Sequence, residues 1–202
     1  EKKIGSISGS FFYSQKKLDA NVVDSTESDD LVVSSILETG YHRLPSELED
    51  ENVLKEKVIG GSLSWNQPDF RISLNGINSV LGGEVRKGQR SYQMYDFSGN
   101  SLSNVSFDYR ISLGKFYLFG EEALSSGGGK ALLNGVYGQL TSGMGAVLLH
   151  RSYEKNYQAL YSGAFSEQTD NHNESGIYLG FKTELLSSLE FRSYMDVYRF
   201  PW

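Results

Sequence analysis

Along 104–114 apolar and polar positions alternate without a break. Val105, Phe107, Tyr109, Ile111 and Leu113 share one face of an extended chain, and Ser106, Asp108, Arg110, Ser112 and Gly114 the other. Side chains of a strand point alternately to its two sides, so this segment predicts a strand with one greasy and one polar face. Segment 189–198 repeats the pattern, setting Leu189, Phe191, Met195 and Val197 against Glu190, Arg192, Tyr194, Asp196 and Tyr198. Ile177, Leu179 and Phe181 alternate with Gly180, Lys182 and Glu184, and Phe70, Ile72 and Leu74 with Arg71, Ser73 and Asn75. Segments 59–65, 116–124, 131–140 and 145–152 also read as strands, but both of their faces are partly apolar and stay unassigned. Strand-like pattern begins almost at once, at Ile4.

The connections fall into two classes. Asn66-Gln67-Pro68-Asp69, Gly114-Lys115, Thr141-Ser142-Gly143 and Leu185 to Ser187 are short and built from turn-forming residues. Between them lie longer polar stretches at 15–57, 80–102, 125–129 and 153–175. Long and short connections alternate through about nine strands, the asymmetry of a membrane barrel with short turns at one end and large external loops at the other. The expected fold is therefore all-β: an antiparallel transmembrane β-barrel, partial, with long external loops. Faces also set register. A three-residue loop at 185–187 places Lys182 opposite Glu190, and a four-residue loop at 66–69 pairs Leu63 with Ile72.

Composition agrees with this picture and narrows it. Twenty-two Gly, thirteen Tyr and eleven Phe against three Pro suit strands, tight turns and aromatic belts. No stretch approaches the ~18 consecutive apolar residues of a spanning helix, so integral membrane contact would require strands. The absence of cysteine excludes disulfides and thiolate metal sites within this sequence. A net charge of −6 disfavours an exposed nucleic-acid surface, which would want a basic stripe. An odd strand count, a start at Glu1 without a leader and an abrupt end at Phe200-Pro201-Trp202 suggest that residues 1–202 are one barrel portion of a longer chain, with no second domain among them.

Several short runs carry a resemblance. Phe12-Tyr13-Ser14-Gln15-Lys16-Lys17-Leu18-Asp19-Ala20, Glu38-Thr39-Gly40-Tyr41-His42-Arg43, Phe119-Gly120-Glu121, Asn173-Glu174-Ser175-Gly176-Ile177-Tyr178 and Tyr198-Arg199-Phe200-Pro201-Trp202 follow one another along the chain. In order and spacing they resemble the barrel region of large Bacteroidetes proteins that carry helix-hairpin-helix repeats ahead of the barrel. The resemblance implies a bacterial outer-membrane location, lipid as a partner, and a periplasmic module similar to competence-type DNA-binding modules. Any contact with DNA would belong to that module, which lies outside this sequence. The resemblance supplies no catalytic residues.

Candidate chemistry sits on the polar faces. Asp108, Arg110, Lys182, Glu184, Glu190, Arg192 and Asp196 are read as lumen-facing, either as a charged path that selects solutes or as a salt-bridged filling that stiffens a narrow barrel. Of Glu121 and Glu122, one should point to lipid unless a bulge redirects it or the pair lies at the external rim. In the last long loop Tyr153, Tyr157, Tyr161 and Phe165 recur every four residues, which predicts a short helix packed over the barrel mouth. The acidic run Glu47-Leu48-Glu49-Asp50-Glu51 lacks calcium-loop spacing and reads as solvated. His42, His150 and His172 lack ligand spacing, and Gly127-Gly128-Gly129-Lys130 fails the phosphate-loop pattern, reading as a flexible loop. Asp24-Ser25-Thr26 resembles a short O-glycosylation motif. No metal, cofactor or catalytic residue is expected. A conduit or transport component, with a link to DNA uptake through the absent module, is the leading expectation. A plugged structural or surface-interaction barrel comes next. An outer-membrane enzyme, with Glu121, His42 and His150 as its only seeds, comes last.

Overall fold

A computed structural model describes residues 2–23, 31–37, 39–169, 171–186 and 189–202. Among them the chain is all-β. Eleven strands join one sheet: β1 Lys2–Ile4, β2 Ile7–Val22, β3 Val32–Leu37, β4 Leu54–Asn66, β5 Phe70–Val85, β6 Gly99–Leu113, β7 Phe116–Ser125, β8 Lys130–Thr141, β9 Met144–Tyr153, β10 Glu174–Leu186 and β11 Leu189–Arg199. Helix is confined to α1, Pro45–Glu49, and a single 3-10 turn at Ser91–Gln93. No helix is long and apolar enough to cross a membrane. Asp24-Ser25-Thr26 and the Ser187 end of the last turn lie outside the described residues.

The strand count corrects the expected nine: β3 comes out of a long connection, and a turn at Gly5-Ser6 splits the first strand into β1 and β2. The stretch 15–57 holds the second half of β2, all of β3, α1 and the start of β4. The stretch 80–102 holds the end of β5 and the start of β6. Short turns behave as expected at Gly114, whose φ of 61° is readily reached only without a Cβ. Two registers differ from expectation. In the last hairpin Lys182 faces Arg192 and Glu184 faces Glu190, with an irregularity before Leu186. The slip is two residues, so each side chain keeps its face, and Lys182 reaches Glu190 diagonally as an ion pair of 2.5 Å. Around Pro68 the Gln67 N–H donates to the Phe70 carbonyl, and the Ser64 and Ser73 hydroxyls meet at 3.0 Å. Counted back from that closure, Leu63 lies across from Leu74 rather than Ile72. The four-residue loop tightens because Pro68 and Asp69 alone can make the turn.

The chain divides into two compact units, the first comprising Glu1–Ser10, Gly61–Gly76 and Asn104–Trp202 and the second Phe11–Gly60 and Ile77–Ser103. In the first, β6 to β11 form an antiparallel meander in chain order. Its register resolves the faces that the sequence leaves open. One cross-strand row reads Ile111, Leu118, Val136, Leu148, Leu179, Met195, and the opposite face carries Asp108, Glu121, Leu133, Arg151, Gly176, Tyr198. The apolar face stays uncovered: Leu63, Leu74, Val105, Leu148, Ile177 and Val197 are all exposed. On the polar face aromatic rings lie over glycines of the neighbouring strand. A Cβ on Gly135 would sit 2.4 Å from the Phe119 ring.

The second unit has the opposite construction. Ala20, Val33, Leu54, Leu81 and Val85 form a fully buried apolar cluster, packed on by Leu18, Leu31, Ile36, Val53 and Phe97. β3 closes it, pairing antiparallel with the end of β2 and parallel with the end of β5 at Val32–Glu84 and Val33–Val85. Segment 39–53 is tied back to β2 by Asp50, whose carbonyl accepts the Ala20 N–H and whose carboxylate accepts that of Val22.

Candidate functional site

β9 rises through the polar face of the first unit and delivers Arg151 to its interior, where the residue is completely buried. A buried guanidinium is costly unless its charge and donors are matched, and here Nε and Nη1 are matched while Nη2 is buried without a hydrogen-bond partner among the described residues. Its Nε donates to Glu174, the first residue of β10, and its Nη1 donates to Asp196 of β11 at 2.9 Å. The guanidinium also lies 5.1 Å from the Phe165 ring and 5.7 Å from that of Tyr198, within cation–π reach of both.

Phe165 arrives from the connection between β9 and β10, which folds onto the polar face. The Tyr153 hydroxyl donates to the Phe165 carbonyl at 2.9 Å, and the Glu167 N–H donates to the Glu174 carboxylate at 3.0 Å. The Asn171 side chain organises the loop from within, accepting from Ser162 and the Ala164 N–H and donating to Ser166. Asn173 fastens it to the chain end: its amide oxygen accepts the Trp202 N–H at 2.9 Å and its amide nitrogen donates to the Trp202 carbonyl. The Asn156–Tyr157 backbone passes so close to Gly129 that a Cβ there would fall 2.3 Å away. Gly129 is therefore a packing surface for this loop, whereas a Cβ on Gly127 or Gly128 would meet nothing within 4 Å. The Phe165 ring contacts Tyr178 edge-on at 5.2 Å, and Tyr178 stacks on Tyr194 at 5.8 Å.

The expected helix is absent among the described residues of this loop, which run through turns, bends and irregular backbone. Tyr153 and Tyr157 are buried, Phe165 covers Arg151, and Tyr161 stays exposed. Their four-residue spacing is not a helical stripe, because hydrogen bonds to Glu174, Asn171 and Tyr153 set the backbone instead.

The seven charged residues singled out from sequence all fall on the polar face, in different surroundings. Asp108 is half-buried and accepts from Ser73 at 3.2 Å and Asn75 at 2.9 Å, and the Ser64–Ser73 pair continues this chain to Arg71. Asp196 belongs to the Arg151 cluster. Lys182 and Arg192 both pair with Glu190, whereas Glu184 faces Glu190 across the hairpin. Arg110, opposite Phe119, is exposed. Glu121 points to the polar face and Glu122 to the apolar one, opposite Phe107 and Leu132 with no bulge between, three residues from the loop end of β7.

His150 is exposed on the apolar face beside Asn134, which accepts from the Tyr109 hydroxyl at 2.6 Å. Glu121 and His150 therefore point to opposite sides of the sheet and do not converge. His42 pairs with Asp19 in the second unit. His172 is half-buried in the last loop. The acidic run forms α1 and its end, where the Glu47 carboxylate accepts the N–H groups of Arg43 and Leu44.

Sequence reasoning missed Arg151 and Glu174. The apolar neighbours Leu148 and Leu149 hide the alternation of β9, but a lone Arg in a greasy strand invites the question asked of Glu121 and Glu122. Comparison with family models, with curated proteins and with solved structures returns no match for this chain.

Proposed function

We propose that this chain is part of an outer-membrane β-barrel whose polar interior is filled, and that it serves as a surface-interaction scaffold rather than an open conduit. One observation carries the membrane placement. Along β4 the same set of alternate residues is turned inward throughout, yet its chemistry reverses. Leu54, Glu56 and Val58 are inward, with Glu56 ion-paired to Lys16 at 3.5 Å, and Lys55 and Lys57 are outward; further along, Ser64 is inward and Leu63 and Trp65 are outward. β5 does the same, with Leu81 and Val85 inward at one end and Ser73 inward with Leu74 outward at the other. Outward residues that change from lysine to leucine and tryptophan along one strand match a change of surroundings from water to hydrocarbon. In lipid the apolar side faces out and polar groups are satisfied within.

The filled interior rests on Arg151. Its charge is matched by Glu174 and Asp196, and the chain's own loop lies across it through Phe165. A pore-lining cation would instead remain available to solutes. The resemblance to Bacteroidetes barrels supports the outer membrane as the location. Any DNA-linked role belongs to helix-hairpin-helix repeats outside these residues. The conduit reading is kept alive by Arg192, whose side chain is 74% exposed, and by exposed Arg110.

Single-channel conductance of the parent protein in planar bilayers separates the two. Protein shown to be folded and inserted should be silent, with and without DNA. Steady conductance that DNA alters, and that charge removal at Arg110 and Arg192 changes, would install the conduit reading instead.

A further inference from the structure

Segment 39–53 of the second unit is held against β2 by three polar ties, and only one depends on pH near neutrality. Asp50 binds the Ala20 and Val22 N–H groups, and the Asp19 carboxylate accepts the Asn52 N–H at 2.9 Å. The third tie is His42, whose Nε2 meets the other Asp19 oxygen at 2.8 Å and whose Nδ1 lies 4.0 Å from Glu51. Every titratable group facing the imidazole is acidic: Asp19 from β2, Glu51 from the turn after α1 and Glu47 from α1 itself. The tied segment displays exposed Tyr41, Leu44 and Leu48.

We propose that His42 and Asp19 form a pH-operated clasp that docks segment 39–53 onto β2 when the imidazole is protonated and loosens it when the proton is lost. Loss of that charge leaves Asp19, Glu51 and Glu47 facing one another without the cation between them. The direction of titration agrees. The Asp19 hydrogen bond, reinforced by Glu51 and Glu47, raises His42 above its ordinary 6.5, and the Asn52 N–H and His42 lower Asp19 below 3.8. A raised histidine contributes stability that is complete below 6.5 and lost as pH climbs through its folded value. A lowered aspartate contributes stability present above 3.8 and lost as pH falls through its folded value. The clasp is therefore whole between these limits and opens as pH rises above 6.5. The inference stands apart from the membrane reading, since it concerns only the second unit.

Amide hydrogen exchange of the intact protein, corrected for the intrinsic pH dependence of exchange, reads the clasp directly. Protection of peptides covering 39–53 should fall several-fold between pH 6 and pH 9, while β6 and β7 stay constant. H42Q, which keeps a hydrogen-bonding side chain without the titration, should be flat across that range. D19N should be loosened at every pH. Equal pH profiles for wild type and H42Q, or a wild-type segment that tracks β6 and β7 throughout, would overturn the clasp.

Discussion

The two units use one structural alphabet in opposite senses. In the second, Ala20, Val33, Leu54, Leu81 and Val85 are buried, Glu56 is a charged side chain buried with its partner Lys16 reaching it from β2, and Lys17, Lys55 and Lys57 face out. In the first, Arg151 and Glu174 are among the most completely buried side chains and leucines and aromatics face out. Strands β2, β4, β5 and β6 contribute residues to both units, so the reversal is written inside single strands rather than between separate domains. Burial periodicity alone therefore says little about solvent. Under the membrane proposal, the chemistry of the uncovered face distinguishes a strand in water from one in lipid, and a reversal of that chemistry along one strand would mark the boundary.

That contrast can be broken most severely at Arg151. R151M leaves Glu174 and Asp196 buried without their cation and should cost about 3–5 kcal/mol in urea unfolding of the reconstituted protein. It should also free the 154–173 loop to protease. Next comes L148R, a cation on the apolar face. It should cost roughly 2–4 kcal/mol in liposomes if that residue sits near mid-bilayer, and almost nothing if the face is in water. The second unit sharpens the contrast through L54A, whose loss of roughly 2–5 kcal/mol should be the same in liposomes and in detergent, because that core needs no lipid. The smallest effect belongs to K182A. Its pair with Glu190 is half-exposed and should be worth less than about 1 kcal/mol by a double-mutant cycle with E190A.

Legibility in the sequence follows the same division. β6, β10 and β11 were readable because long runs of each keep one environment on each face. β4 was begun too late, at Ile59, because its apolar phase reverses between Val58 and Ile59 and leaves 54–58 looking like part of the preceding connection. β5 was cut short at Asn75 for the same reason, since Gly76 and Ile77 begin the opposite sense. β3 went unseen because Val32-Val33-Ser34-Ser35-Ile36-Leu37 has no alternation at all. Its burial comes from the preceding β2 and from β5, which lies far away in sequence. Of the candidate site, the sequence yielded the polar face but not its centre. Arg151 becomes distinctive only when Glu174, Asp196 and the folded-back Phe165 meet it, and those contacts are non-local.

The most direct test of the membrane boundary is a depth measurement along β4. The chain has no cysteine, so single-cysteine labels can be placed cleanly at positions 55, 57, 63, 64 and 65 of liposome-reconstituted protein. Labels at 63 and 65 should be quenched by lipid-borne quenchers and shielded from aqueous ones. Labels at 55 and 57 should show the reverse, and the label at 64 should be shielded from lipid. Equal aqueous access at 57 and 63 would contradict the account, because the reversal in β4 would then mark no change of solvent.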